Sequence, residues 1–166
     1  MIALAIARFP AVAEDRQTEA TKTTLSYLNS IGLTRFFDPC GLGIKQESYR
    51  RIQALAETES ITVRVFHTLN AGVPATPEDA GRPFQGDETF NLLAMGELYY
   101  GSFHWDNDVR PVTPTPSDLQ VGRHFLTAAA AGAWPVQTHA MQPKTMDYLL
   151  DAIAEVNANY PIRQLR

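Results

Sequence analysis

Residues 61–69, ITVRVFHTL, form a nearly continuous apolar and β-branched run. A strand with one wet face alternates apolar and polar residues, whereas a strand covered on both faces does not. The run therefore reads as a strand inside a parallel sheet. Parallel neighbours need long crossover connections, usually helices. This one segment commits the chain to an α/β architecture, and the flanking sequence should alternate between the two periods.

It does. The opening MIALAIARFPAVAEDR reads as an arm or edge element, being short and interrupted at Pro10. Leu25, Leu28 and Ile31 then mark a helix over residues 18–31 that stops at Gly32, a residue suited to the left-handed position past a helix end. LTRFFD follows as a β-rich run broken by PCGLG, and Tyr49, Ile52, Leu55 and Ala56 lie on one face of a second helix. Beyond the 61–69 strand, residues 70–86 read as a long loop, residues 88–94 as a short helix, and ELYYG as a third strand. After the loop HWDNDVRPVTPTP, Ser117 with Gln120 predicts a capping box opening a helix through Phe125 and Leu126 to Gly132. PVQTHA is the fourth strand. Pro143 suits a first helical turn, ahead of Met146, Leu149, Leu150, Ile153 and Val156, in a helix ending before Pro161. The closing IRQLR looks like the start of another strand.

The helix–strand units recur every 30–40 residues, close to the roughly 31 residues per unit of a (β/α)8 barrel. An open doubly wound sheet gives the same alternation, so part of a TIM barrel and an open sheet both stand. No G-x-G-x-x-G or Walker-type loop follows a strand to support nucleotide binding in the open-sheet form.

The 166 residues fit one α/β domain spanning 1–166. A net charge of −4 and the lack of any Lys/Arg cluster argue against a nucleic-acid partner and favour a small molecule. The single cysteine, Cys40, rules out a disulfide framework or a cysteine-based zinc site within the chain and suits a reducing cytoplasm. No stretch is long and apolar enough to span a membrane as a helix.

In either architecture chemistry sits at the C-terminal ends of the strands. The groups there are Asp38, His67, residues 97–100 including Glu97 and Tyr100, and His139, with His104 and Trp105 on the adjoining loop. Imidazole and carboxylate are ligands that zinc, manganese or iron accept. Each also has a plainer role. Asp38, before Pro39, suits a turn cap; His67 sits among apolar neighbours as a core or rim histidine would; Glu97 suits a salt bridge. His104 and Trp105 suit a surface loop, His124 the exposed side of a helix, and Cys40 a loop or buried thiol.

LNSIGLTRFFDPCG, ITVRVFHTL, GELYYG and THAMQPKTMDYLLDAI resemble, in order and spacing, amidohydrolase family 3, metal-dependent hydrolases built on a (β/α)8 barrel. The resemblance implies that the chain covers about strands two to five. By it, His139 corresponds to the metal-binding histidine ending the fifth strand, and Glu97 to the carboxylate of the fourth. His67, Tyr100, His104 and Trp105 would line the substrate mouth. HAMQP stands where the family has HAxGD, and the family's HxH pair, sixth-strand histidine and eighth-strand aspartate have no counterpart in the sequence.

The expectation is therefore a fragment of a metal-dependent amidohydrolase acting on amide-type C–N bonds. It implies a divalent metal, zinc first, in the intact enzyme, with none held by this chain and no activity of its own. The alternative is a non-catalytic binding or oligomerising module. Because part of a barrel leaves sheet edges and an apolar inner face open, a homo-oligomer is expected.

Overall fold

The structure is a computed structural model that describes residues 10, 12–39, 46–58, 60–69, 81–98, 113–138 and 143–160; at residues 46–48, 97 and 98 the description is of backbone alone. Residues 1–9 and 11 of the arm, Cys40, residues 99–112 and the IRQLR segment lie outside the described residues, and the last three residues of the arm, Glu14 to Arg16, open the first helix, four residues earlier than the sequence predicts. The elements are α1 (Glu14–Ser30), β1 (Arg35–Asp38), α2 (Gln46–Glu57), β2 (Arg64–Leu69), β3 (Gln85–Gly86), β4 (Phe90–Leu98), α3 (Pro116–Ala131), β5 (Val136–Thr138) and α4 (Pro143–Asn159).

Four strands are parallel and follow one another across the sheet in chain order, β1 beside β2, β2 beside β4, β4 beside β5. The fifth, β3, is a two-residue antiparallel strand on the same edge of β4 that β5 joins further along. A doubly wound sheet reverses direction at a switch point and so carries helices on both faces. Neither feature occurs among the described residues.

The side chains agree with the strand order. Val65 packs with Leu25 of α1 and with Tyr49 and Leu55 of α2, and four residues on, Leu69 packs with Ala129 of α3 and with Trp134. Residues an even number apart on a strand share a face, so α1, α2 and α3 cover one face of the sheet. The last helix, α4, packs Leu149, Ala152 and Val156 against Leu126 of α3, with Val136 of β5 beside them. One-sided helices over strands in chain order make the wall of a (β/α)8 barrel. The described residues supply four such parallel strands, and their arrangement matches a partial TIM barrel.

The local chemistry explains most element ends. Glu14 and Asp15 put negative charge on the first turn of α1. Gly32, at φ +90, turns the chain after the C-cap residue Ile31, as the sequence predicts. At α3 the capping box forms two residues earlier than Ser117 and Gln120 suggest. The Thr115 hydroxyl accepts from the Asp118 N–H, and the Asp118 carboxylate accepts from the Thr115 N–H, with Pro116 inside the first turn. Pro116 imposes the shift, because its preset φ and missing N–H suit the first helical position.

The largest departure from the sequence reading is at residues 88–94, where a helix is predicted and a strand is found. The strand β4 begins at Phe90, before ELYYG. It carries an extra residue relative to each neighbour: between positions paired with His67 and Thr68 of β2, and between Met95 and Leu98 opposite β5. Each insertion breaks the two-residue alternation. Phe90, Leu92, Ala94 and Met95 are all buried, so burial does not follow a single alternating face along the whole strand. Pairing along both edges overrides the helix propensity of Leu, Ala and Met, which is a weak preference.

Candidate functional site

The parallel strands bring their C-terminal ends to one side, closing with Asp38 on β1, Leu69 on β2, Leu98 on β4 and Thr138 on β5. Asp38 and His67 are register partners on β1 and β2. Both share the helix-covered face, since Phe36 and Val65, two residues earlier on each strand, pack in the cluster with α1 and α2.

His67 is thus held beneath the sheet. It is 4% exposed, and its ring stacks between Tyr49 and Phe90 with centroid distances of 4.1 and 4.7 Å. Its Nδ1 donates to the Thr68 carbonyl oxygen at 3.2 Å. Burial lowers its pKa below the ordinary imidazole value of 6.5, an effect opposed by the Thr68 carbonyl and the negative charge of Asp38. The ring is neutral near pH 7 and enclosed by aromatic packing. Among the described residues nothing opens it to a substrate.

On the other side of the sheet centre the backbone is irregular. Thr68, with no exposed surface, donates its hydroxyl to the Gly96 carbonyl oxygen at 3.0 Å. Gly96 has φ +155, and a Cβ there would stand 2.6 Å from the Gln137 carbonyl oxygen of β5. Only glycine lets the two strands approach so closely. Glu97 lies within this bulge. Its position is one residue before Leu98, the register partner of Thr138, and Thr138 is followed in the chain by His139.

The remaining predicted site residues, Tyr100, His104, Trp105 and His139, lie outside the described residues, as does the side chain of Glu97. His124 is exposed on α3, where the sequence puts it. Among the described residues no group of three or more His, Cys, Asp or Glu side chains could hold a metal ion. No helix of the described residues is long and apolar enough to cross a membrane.

Sequence reasoning passed over Thr68 and Gly96. A threonine inside an apolar strand and a glycine ahead of a glutamate carry no signal until the strand pairing is known. It also passed over a groove between α3 and α4 lined by Arg123, Thr127, Glu155, Val156, Asn159 and Tyr160. Arg123 Nε lies 2.6 Å from Glu155 Oε2, with both side chains about half exposed. The groove gathers at the C-terminal end of α4, opposite the strand ends that carry chemistry in barrels.

The family model described as amidohydrolase family matches residues 1–166. No curated protein matches the sequence. Among solved structures, an uncharacterized metal-dependent hydrolase from Pyrococcus horikoshii OT3 superposes with a TM-score of 0.62 at 14% identity, over 88% of this chain and 32% of that one. This chain thus spans about a third of the length of that structure, and at such identity the likeness is one of fold.

Proposed function

Since the chain belongs to the amidohydrolase family, we propose that it is a segment of the catalytic barrel of a metal-dependent hydrolase acting on amide-type C–N bonds of a small molecule, and that the segment has no turnover by itself. Glu97 and His139 are the two ligands it contributes. What supports this reading is the pairing of Leu98 with Thr138 on adjacent parallel strands, because Glu97 and His139 are their immediate neighbours in the chain. Oxygen and nitrogen donors of this kind suit a divalent cation, zinc first, although two are fewer than a zinc site uses. A bound metal would polarise the scissile carbonyl and lower the pKa of the attacking water. Tyr100, His104 and Trp105 would wall the substrate. His67 would support that wall from within the core, as its burial between two rings suggests. The single cysteine of the sequence fits a cytoplasmic protein.

The purified chain titrated with Zn²⁺ tests the assignment. Weak, substoichiometric binding is expected, reduced further in Glu97→Gln and His139→Ala, with no hydrolysis of amide substrates. One tightly held metal together with amide hydrolysis would overturn the claim that this segment is inactive.

A second reading, self-association, is favoured by Phe37. It lies 46% exposed on the sheet face opposite the helices, on β1, whose other edge is unpaired among the described residues. Light scattering at micromolar concentration should give a dimer or larger species; a monodisperse monomer would refute it.

A further inference from the structure

We propose that Thr68 is a positioning residue for Glu97: its hydroxyl fixes the peptide plane from which the glutamate is projected. The inference deepens the reading of Glu97 as a metal ligand and rests on it for its functional meaning. The Gly96 carbonyl that accepts from Thr68 belongs to the Gly96–Glu97 peptide, so a hydrogen bond at its oxygen restrains ψ of Gly96 and φ of Glu97 together.

Such a restraint is needed at this point. Between Met95 and Leu98 the ladder to β5 is interrupted by an extra residue, and a bulge leaves backbone groups without their regular partners. Glycine at φ +155 adds freedom that no side chain of its own limits. Two neighbours take up the slack. From β5 the Gln137 backbone closes against Gly96, near enough that a Cβ would stand 2.6 Å from its oxygen. From β2, Thr68 supplies a directional bond, from a side chain with no exposed surface and therefore no competing water. The bond is 3.0 Å long and spans from one strand to the next. A valine at 68 would fill the same volume and bury just as much surface. What the hydroxyl adds is orientation of one peptide, the one entering Glu97.

Three variants of the full 166-residue chain separate orientation from packing: Thr68→Val, which keeps shape and loses the donor; Thr68→Ser, which keeps the donor; and Glu97→Gln. Zn²⁺ alone is the affinity probe, and the Gly96 carbonyl ¹³C and Glu97 ¹⁵N chemical shifts report on the peptide without metal. Thr68→Val should move both shifts and weaken zinc binding about tenfold, the lower end for loss of a group supporting a metal ligand. Thr68→Ser should leave both near the parent. Should Glu97→Gln weaken zinc while Thr68→Val matches the parent in affinity and shifts, the positioning role is overturned and the ligand assignment stands. Should Glu97→Gln leave zinc binding unchanged, the ligand assignment falls. The shifts then still decide Thr68: movement in valine but not serine supports its hold on the peptide, and no movement overturns it. A purely structural role would lower the urea midpoint of Thr68→Val without the valine–serine split in affinity and shifts.

Discussion

The sheet has two kinds of wall. Between β1 and β2 four consecutive residue pairs keep strict register, from Arg35 with Arg64 to Asp38 with His67. Between β4 and β5 only two pairs form, separated by two intervening residues on β4 and one on β5. The regular wall turns its histidine inward, where Tyr49 and Phe90 enclose it. The irregular wall interrupts its own ladder at the position of Glu97 and is held there by Thr68 and Gln137. In a parallel sheet, strict pairing assigns every side chain to one of two faces. A bulge is what releases a residue from that assignment, and bulges concentrate beside functional sites.

The comparison can be broken at its most demanding point by Gly96→Ala. The new methyl group meets the Gln137 carbonyl at 2.6 Å, with the backbone at φ +155, so strain and overpacking should together cost about 3 kcal/mol or more. Urea unfolding should register a lowered midpoint, and a midpoint unchanged from the parent would mean that the irregular wall is loose. The matching probe of the regular wall is Val65→Ala. Val65 has no exposed surface, and losing two buried methyl groups plus the cavity term should cost roughly 2 kcal/mol.

A smaller, pH-dependent effect should come from His67. Its pKa is lowered in the fold, so the unfolded chain binds more protons below the ordinary value. The stability linked to this group is fully present above pH 6.5 and is lost as pH falls through that value toward the native one. His67→Leu should flatten this slope in denaturant midpoints measured across the range, and a slope surviving the substitution would assign it to other groups. Last, Phe37→Ser on the same regular wall should change stability by no more than about 0.5 kcal/mol, as exposed positions do, while reducing any self-association seen by light scattering.

The regular half of this contrast was legible in the sequence. ITVRVFHTL declares a buried parallel strand because its β-branched residues need no interpretation of partners, and Leu25, Leu28 and Gly32 announce a helix and its end within a few residues. The irregular half was not. Residues 88–94 read as helix although they enter the strand Phe90–Leu98, and the extra residue that β4 carries there is defined only by the neighbouring strand. The same limit applies to the site. Glu97 and His139 are proposed through family resemblance alone, whereas Thr68 has meaning only once Gly96 is known to lie across from it. The one-sided placement of α1, α2 and α3, which separates a barrel wall from an open sheet, likewise depends on core clusters that join residues as distant in sequence as Leu25 and Phe90.

The two insertions in β4 also act mechanically. Bulges bend the strand that carries them and increase its local twist, and sheets that close on themselves rely on such corners for curvature. With both insertions in the strand that lies between β2 and β5, β4 is where this sheet is creased. Excising Leu93 and Gly96 would leave a straighter, less twisted strand between β2 and β5.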